Sequence, residues 1–459
     1  MFTGNASNCF LVLIECQSIT GEAIATALLT TLNVLGLNND ILRRRLLGFC
    51  TDGAGNLRGH VKGALCLISE KIGREDLIFL HCMNHKLELA VNEAVSAISQ
   101  VSHLRMFIDT LYSYYSRSPR NCRLIENVSQ ELGTIMRKVG KIFDVRWVSS
   151  SFRSVDAIYT TLPALSRQLC EASEDTRLNG KDRAKALGMS KKIGSFEFVS
   201  QLALIRDVLD TLHGLSLYLQ KRDASILDAG DRLQTAMRTL NAMKTCNGLS
   251  VAAVLSGIDA NGEFRGIKIV KSNGCEEQFA HMRTQFIQAI IDNVTSRFPP
   301  ATLMEAGAVL SPLSWPDDED QKLLFGEAHV LRLAKLCHVD SREAVDDFRM
   351  YKNNTNRIGN ALATLLKRVN IMPISSAECE RGFSCMNLNN TDNRGSLSID
   401  SLSALIFIKV NGPKRADFNP SLYVEEWIKA GRHSATDPVT GKTSKGCDTQ
   451  RVVPFATLF

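Results

Sequence analysis

Several features that would assign this chain to a membrane or secreted class are absent from its sequence. It has no uninterrupted apolar run near the ~18 residues that a membrane-spanning helix needs. Its start, Met1 to Cys9, carries no basic residue of the kind that opens a secretory signal. The thirteen cysteines are scattered and include no Cys-x-x-Cys pair, which argues against a disulfide framework. We therefore expect an intracellular protein with no membrane partner.

The length and composition of the chain indicate a globular protein of more than one domain. A chain of 459 residues is too long for one compact core, and its hydrophobic share of 44% and charged share of 22% are ordinary. We therefore expect two or three domains.

The net charge of +6 is modest but unevenly distributed. Nine basic residues between positions 105 and 153 face only four acidic ones in the same segment. Such a surplus would suit a phosphate backbone, and a solvated helical face accounts for it equally well. The basic residues are Arg105, Arg117, Arg120, Arg123, Arg137, Lys138, Lys141, Arg146 and Arg153.

The first 160 residues alternate between strand and helix patterns. Apolar runs predict strands at Cys9 to Cys16, Arg45 to Thr51 and Leu77 to Cys82. Helical periodicity predicts helices at Gly21 to Leu35 and Asn84 to Tyr115. This alternation predicts an α/β domain with a largely parallel sheet.

Residues 161–352 read as an all-α insertion, because strand signals nearly vanish there and apolar residues recur with a 4-3 spacing. That spacing predicts a helix that packs lengthwise on its neighbours. It is formed by Phe198, Leu202, Ile205, Leu209, Leu212, Ser216 and Leu219.

The C-terminal part, residues 353–413, reads as a return to the first domain. Helices are predicted at Asn353 to Asn370, after Ser375, and at Ser398 to Val410, where Gly412-Pro413 ends the last one. The tail, residues 414–459, is polar apart from an amphipathic piece at Leu422 to Ala430, and we expect most of it to be disordered.

Two carboxylates stand where chemistry often occurs. Asp52 follows a predicted strand and precedes a glycine-rich turn, so it could hold a cation above the sheet edge or simply cap the turn. Ser375 and Glu378 have the spacing of a capping box, which gives Glu378 a structural role. Glu380 lies roughly 200° further round the helix and has no such explanation.

Two further motifs are weaker. Arg146-Trp147 follows the basic segment, and an exposed pair would suit stacking and phosphate binding, whereas a buried tryptophan beside an extended arginine fits as well. Cys82 and His85 have the spacing of half a zinc site, but no second half matches them, and a packed strand-to-helix junction is the better interpretation.

Taken in order, these motifs are more specific than any one of them alone. Together they resemble the transposase domain of the hAT superfamily, and in particular its host-domesticated nuclear members, over residues 9–413. The motifs are Thr51-Asp52-Gly53-Ala54, His81 to Ala90, Arg146-Trp147, Ser149 to Ser151, Ser375 to Ser384 and Gly412-Pro413.

The resemblance implies a ribonuclease-H-like α/β domain interrupted by a large all-α insertion, with two aspartates and one glutamate holding two divalent cations. Asp52 matches the second aspartate of such a triad and Glu380 matches its glutamate, so both are metal and catalytic candidates. The metals, Mg²⁺ or Mn²⁺, would support in-line attack on a DNA phosphodiester. Trp147 matches a family tryptophan near the DNA ends.

The first aspartate of the family has no counterpart here, because it would lie upstream of the segment that begins at Cys9. We therefore expect an N-terminally truncated domain, a vestigial metal site, no requirement for a cofactor, and no catalysis. The Cys/His finger that usually precedes this domain in the family is also missing from the sequence.

These observations predict a nuclear, transposase-derived protein that forms a homodimer or higher oligomer and keeps some affinity for DNA. The alternatives are an active metal-dependent nuclease and a protein-interaction scaffold that does not bind nucleic acid. The expected dimerisation residues are Phe383, Leu402, Leu405, Ile406 and Ile408. The expected DNA-binding residues are Arg137, Lys138, Lys141, Arg146 and Trp147.

Overall fold

The structure is a computed structural model, and helices make up most of the part of the chain that it describes. Two compact units divide the chain: the first combines Met1–Leu80 with Ser376–Phe459, and the second is His81–Ser375. The described residues are 8–59, 62–141, 147–298, 307–413 and 415–429.

The N-terminal part of the first unit is a small helical layer beside two short strands. Its helices are α1 Gly21–Val34, α2 Asn39–Arg45, α3 Gly55–Arg58 and α4 Ala64–Ile72. Its strands are β1 Gly48–Thr51 and β2 Ile78–His81, which form a two-stranded sheet. The buried side chains of this layer form an apolar core. They belong to the helices and to the residue before β2, and they are Ala25, Leu42, Ala64, Ile68, Ile72 and Leu77.

The predicted helix at Gly21 to Leu35 is confirmed as α1, and it begins where the sequence gives it a cap. Thr20 has an extended backbone, and its hydroxyl accepts a hydrogen bond from the Ala23 N–H at 3.3 Å. That hydroxyl satisfies one of the main-chain donors that a helix start leaves open. Helix α4 ends before Gly73, which has a φ of 66°. Residues with a side chain adopt this left-handed conformation only with strain.

The strand predicted at Cys9 to Cys16 is wrong. This segment has no ladder hydrogen bonds in the structure, and its amides donate to side chains of a distant helix instead. Phe10 N–H donates to Asn411 Oδ1 and Leu13 N–H donates to Ser403 Oγ, both at 2.9 Å. Within the described residues of this unit the strands are therefore β1 and β2, and the predicted ribonuclease-H-like sheet stays a prediction.

The second unit is almost entirely helical, with one short β-hairpin formed by β3 Glu263–Phe264 and β4 Ile267–Lys268. Its helices up to the hairpin are α5 Met83–Ala97, α6 Ser99–Ser116, α7 Pro119–Glu131, α8 Trp147–Glu174, α9 Gly180–Ile193, α10 Phe196–Leu219, α11 Ile226–Ala242 and α12 Leu249–Gly257. Those after it are α13 Cys275–Arg297, α14 Glu319–Leu324, α15 Glu327–Leu336, α16 Ser341–Asn353 and α17 Asn360–Asn370.

Helix α10 is the central element of this unit. Every residue of the predicted 4-3 seam is buried, and so are apolar residues outside it, such as Leu204 and Val208. The reason is that α10 packs against several helices, among them α8, α11, α12 and α13. A helix enclosed on several sides needs an apolar surface wider than one stripe.

Two helices predicted as continuous are each broken. The predicted helix Asn84 to Tyr115 divides into α5 and α6 at Ile98, whose backbone is extended. The predicted helix Asn353 to Asn370 divides as well, because α17 starts afresh at Asn360, where the Asp347 carboxylate accepts from the Ala361 N–H at 2.9 Å. Conversely, the domain boundary expected after residue 160 falls inside the unbroken α8.

The two chain ends of the second unit meet. Met83 N–H donates to the Ile374 carbonyl at 2.9 Å, and the Cys82 thiol lies 3.6 Å from Ser375 Oγ. Close ends are what an inserted domain needs, because the chain must enter and leave at one place.

The C-terminal part of the first unit consists of α18 Ala377–Asn389, α19 Ile399–Asn411 and α20 Ser421–Lys429. The predictions of α19 and α20 are confirmed: Ser398 Oγ caps α19 by accepting from the Ser401 N–H at 3.2 Å, and the helix ends before Gly412. Of the tail predicted to be disordered, residues 414 and 430–459 lie outside the described residues. None of the described helices has the length and apolar character needed to cross a membrane.

Candidate functional site

Asp52 lies directly after β1, on the surface of the first unit. Its Oδ1 accepts a hydrogen bond from the Ala54 N–H at 3.1 Å, and Thr51 Oγ1 accepts from the Gly53 N–H at 3.4 Å. Gly53 has a φ of 87°, which only glycine adopts without strain. The carboxylate thus stabilises an Asx-type turn, the structural role that the sequence left open for it.

Glu380 lies in the first turn of α18 and is half-buried. Its position near the helix start favours a negative charge, because the first N–H groups carry a partial positive charge. Both Asp52 and Glu380 belong to the first unit. Over the described ranges, no three His, Cys, Asp or Glu side chains come together as a set of metal ligands.

The predicted capping box of Ser375 and Glu378 stays a prediction. Helix α18 begins at Ala377, its N-cap is Ser376, and that side chain makes no capping hydrogen bond. Glu378 forms an ion pair with Arg381, one turn along the same helix. The Ser375 hydroxyl lies beside the Cys82 thiol in the second unit.

The inner faces of α18 and α19 enclose a small apolar cluster. Cys385, Leu402 and Ile406 are buried, and the Phe10 and Leu13 side chains pack against them. Leu402 and Ile406, which were predicted to lie in a dimer interface, are therefore buried in the interior of a single chain. A spacing of four residues puts them on the same stripe of α19, and that stripe is already covered.

The outer faces of the same helices carry exposed apolar side chains. Phe383 is 54% exposed, Ile408 is 65% exposed, and Leu405 is more than a third exposed. The sequence pattern did not single out Leu388, yet its side chain is 69% exposed at the end of α18. We call Phe383, Leu388, Leu405 and Ile408 the C-terminal apolar surface.

The basic residues predicted to contact DNA lie in the second unit, and those that the structure describes are on its surface. Arg137, Lys138 and Lys141 are exposed in the segment between α7 and α8. Arg146 lies outside the described residues, and Trp147 is the first residue of α8. Glu88, which no sequence motif marks, is buried and accepts a hydrogen bond from the Val148 N–H at 2.7 Å at the start of that helix.

Some of the basic segment is locally neutralised. Arg120 pairs with Asp175 at 2.8 Å, and Arg177 pairs with the same carboxylate at 2.8 Å. The hydrogen bonds from Arg177, together with both positive charges, lower the pKa of Asp175 to about 2. Burial raises the pKa of Asp109, which the nearby charges of Arg105 and Lys141 oppose.

Arg137 belongs to a cluster that the sequence did not reveal. Its guanidinium pairs with Asp156, and Arg206 Nη2 pairs with the other oxygen of that carboxylate at 2.8 Å. The Arg206 guanidinium carbon lies 4.9 Å from the centre of the Tyr159 ring, and the Arg265 guanidinium carbon lies 4.6 Å from it. We call Arg137, Arg206 and Arg265 the arginine cluster.

These contacts join segments that are far apart in sequence. Asp156 and Tyr159 lie on α8, one turn apart, and thereby bring α10 and the β3–β4 hairpin to the basic segment. Burial raises the pKa of the Tyr159 hydroxyl, and the charges of Arg265 and Arg206 oppose that rise. No local motif connects positions 137, 206 and 265, so only the fold reveals the cluster.

No family model matches the chain.

Proposed function

We propose that this chain is a non-catalytic, nuclear protein derived from a hAT transposase, which self-associates through its C-terminal helices and has residual affinity for DNA. Its first unit would represent a ribonuclease-H-like domain and its second unit the helical insertion. The observation that carries the proposal is the C-terminal apolar surface: α18 and α19 have a filled interior, yet large apolar side chains remain on their outer faces.

The exposed side chains of this surface favour self-association. Burying a large apolar side chain contributes roughly 1.5–3 kcal/mol when it is fully exposed beforehand. In a symmetric dimer each residue counts twice, since the same patch contributes from both chains. Phe383, Leu388 and Ile408, all more than half exposed, can therefore offset part of an association cost on the order of 4–15 kcal/mol.

The DNA affinity rests on charge. Lys138 and Lys141 are exposed beside Arg137, and the chain as a whole carries a net charge of +6. Cations in such a segment bind phosphates without reading sequence, and the affinity falls steeply as salt is added.

Sedimentation equilibrium tests the self-association. The wild-type protein should be a dimer at micromolar concentration, and F383S/I408S should shift it to monomer. Leu187→Ser is the matched control, because Leu187 is an exposed apolar residue on α9 of the second unit. A wild-type protein that remains monomeric at micromolar concentration would contradict the proposal.

Titration of a fluorescent duplex at low salt tests the DNA affinity. K138A/K141A should weaken binding, whereas K191A/K192A, a matched pair of exposed lysines on α9, should not. A wild-type protein with no measurable binding at about 50 mM salt would favour the scaffold without a nucleic-acid role.

A further inference from the structure

The turn of the β3–β4 hairpin holds an arginine where the backbone disfavours one. Phe264 pairs with Ile267, so Arg265 and Gly266 form a two-residue turn, with φ values of 52° and 75°. Turns with two positive φ angles favour Asn or Gly, because a longer side chain crowds the backbone. Among the described residues, His338 is the only other non-glycine residue with a positive φ.

The strands of the hairpin are anchored by other residues, although the Arg265 guanidinium carbon also lies 5.0 Å from the centre of the Phe264 ring. Phe264 and Ile267 are buried and anchor the two strands against the unit, and Gly266 supplies half of the turn. The Arg265 side chain is exposed; it lies over the Tyr159 ring and donates to the Tyr159 carbonyl at 3.2 Å. Strained positions of this kind persist where a side chain has a use that offsets the strain.

Within the arginine cluster, positive groups outnumber the carboxylates that they contact. Asp156 is shared by Arg137 and Arg206. Asp207, the other carboxylate near Tyr159, is occupied by the start of α12, where it accepts from the Ser250 N–H at 2.9 Å and the Val251 N–H at 3.0 Å. Arg265 forms no ion pair in the described part of the chain, so the arginine cluster keeps a positive surplus at the surface.

Shared contacts connect the three arginines of the cluster. Arg137 and Arg206 bind opposite oxygens of one carboxylate, and Arg206 and Arg265 lie against one ring. Three guanidinium groups are therefore linked through one carboxylate and one ring, and two of them, Arg137 and Arg265, belong to solvent-exposed residues. Guanidinium groups donate in a planar fork that matches the oxygens of a phosphate.

We infer that Arg265, together with Arg137, binds phosphates of a duplex DNA backbone, with Arg206, Asp156 and Tyr159 holding the two exposed guanidinium groups in position. The inference rests on the proposed affinity for DNA and assigns it a site. It extends the predicted basic segment to the hairpin turn, which lies more than a hundred residues further along the chain.

Arg265→Gly separates this role from a structural one. Glycine suits a positive φ, so the melting temperature should stay within about 2 °C of the wild type or rise. If Arg265 contacts a phosphate, the affinity for a 30-base-pair duplex should fall about threefold to tenfold at low salt. The slope of log affinity against log salt should become shallower by about 1.

Lys268→Ala is the matched control, because Lys268 lies on the same hairpin and its Nζ contacts the Asn261 carbonyl instead of the arginine cluster. It should leave affinity and salt slope close to those of the wild type. Arg265→Lys keeps the charge at the turn and should retain most of the salt slope.

The outcomes are distinct. Wild-type protein that fails to bind the duplex would overturn both this inference and the proposed DNA affinity. Wild-type protein that binds, with Arg265→Gly indistinguishable from Lys268→Ala, would overturn this inference alone. A fall in the melting temperature of Arg265→Gly with unchanged affinity would show that the arginine serves the hairpin fold, and would also overturn it.

Discussion

Asn411 and Phe10 are joined by a reciprocal pair of hydrogen bonds across almost the whole length of the chain. Phe10 N–H donates to Asn411 Oδ1 at 2.9 Å, and Asn411 Nδ2 donates to the Phe10 carbonyl at 2.6 Å. The Asn411 side-chain amide thus pairs with both main-chain groups of Phe10, as the backbone of a neighbouring strand would in a sheet. It fixes the N-terminal segment against the last turn of α19.

Replacing that amide should release the segment. Asn411→Ala leaves both main-chain groups of Phe10 without their partner, which costs about 1–3 kcal/mol if they stay buried and less if water reaches them. We expect hydrogen exchange at Phe10 to accelerate while exchange in α10 stays unchanged. Asn390→Ala, an exposed asparagine after α18, is the control. Equal protection of Phe10 in both variants would contradict the role given to Asn411.

Two isoleucines on α19 should behave oppositely. Ile406 is fully buried in the cluster and Ile408 is 65% exposed. Ile406→Ala should lower the free energy of unfolding by about 2–5 kcal/mol, because it leaves a cavity. Ile408→Ala should change it by about 0.5 kcal/mol or less. Urea unfolding at sub-micromolar protein concentration, where self-association does not contribute, measures both values.

Buried Cys337 should resist alkylation. Burial raises its pKa to about 11, although the nearby Arg368 charge opposes the rise. The thiolate is the reactive form, so at pH 8 Cys337 should stay unmodified by iodoacetamide while exposed Cys170 reacts. Peptide mass spectrometry reads both sites, and modification of the two at the same rate would contradict this prediction.

The raised pKa of Cys337 also implies that the free energy of unfolding falls at alkaline pH. An unfolded cysteine ionises near pH 8.5, and the folded one only near pH 11. The stability contribution is therefore complete below about pH 8.5 and is lost as the pH rises through about 11. Cys337→Ala should show a smaller fall in melting temperature across this interval than the wild type does. An identical fall in both would place the alkaline sensitivity elsewhere.

The proposed lack of catalysis is tested by plasmid nicking. With Mg²⁺ or Mn²⁺ we expect no cleavage, because the Asp52 carboxylate is engaged in its turn and two carboxylates are insufficient to fix two cations for in-line transfer. Cleavage by the wild-type protein that disappears in both Asp52→Ala and Glu380→Ala would establish the nuclease alternative.

Local patterns predicted the helices well where the apolar periodicity is regular. Periodicity predicted α1 and α19, which Thr20 and Ser398 cap in the structure, and the 4-3 spacing marked α10. The break at Ile98 was not predictable in this way, because the sequence there carries no glycine or proline and the preceding and following periodicities continue.

The segment at Cys9 to Cys16 shows why apolar runs mislead. Its length and composition fit a strand, yet its hydrogen-bond partners are side chains on α19, about four hundred residues away. The arginine cluster was missed for a related reason. Its three arginines belong to separate segments of the chain and come together only through their contacts with Asp156 and Tyr159. Asp52 and Glu380 were selected by their resemblance to family motifs. Such a resemblance matches positions along the chain and does not give the distance between the two carboxylates.

The junction of Met83 with Ile374 has a consequence for how this chain can vary. The free energy needed to close a long loop rises with its length, but only while the loop is unstructured. Here the folding of the second unit brings its own two ends together. The flanking segments therefore have to span only a short distance, whatever the length of the unit between them. Residues can be gained or lost between α6 and α17 without lengthening the gap that the flanking chain must bridge.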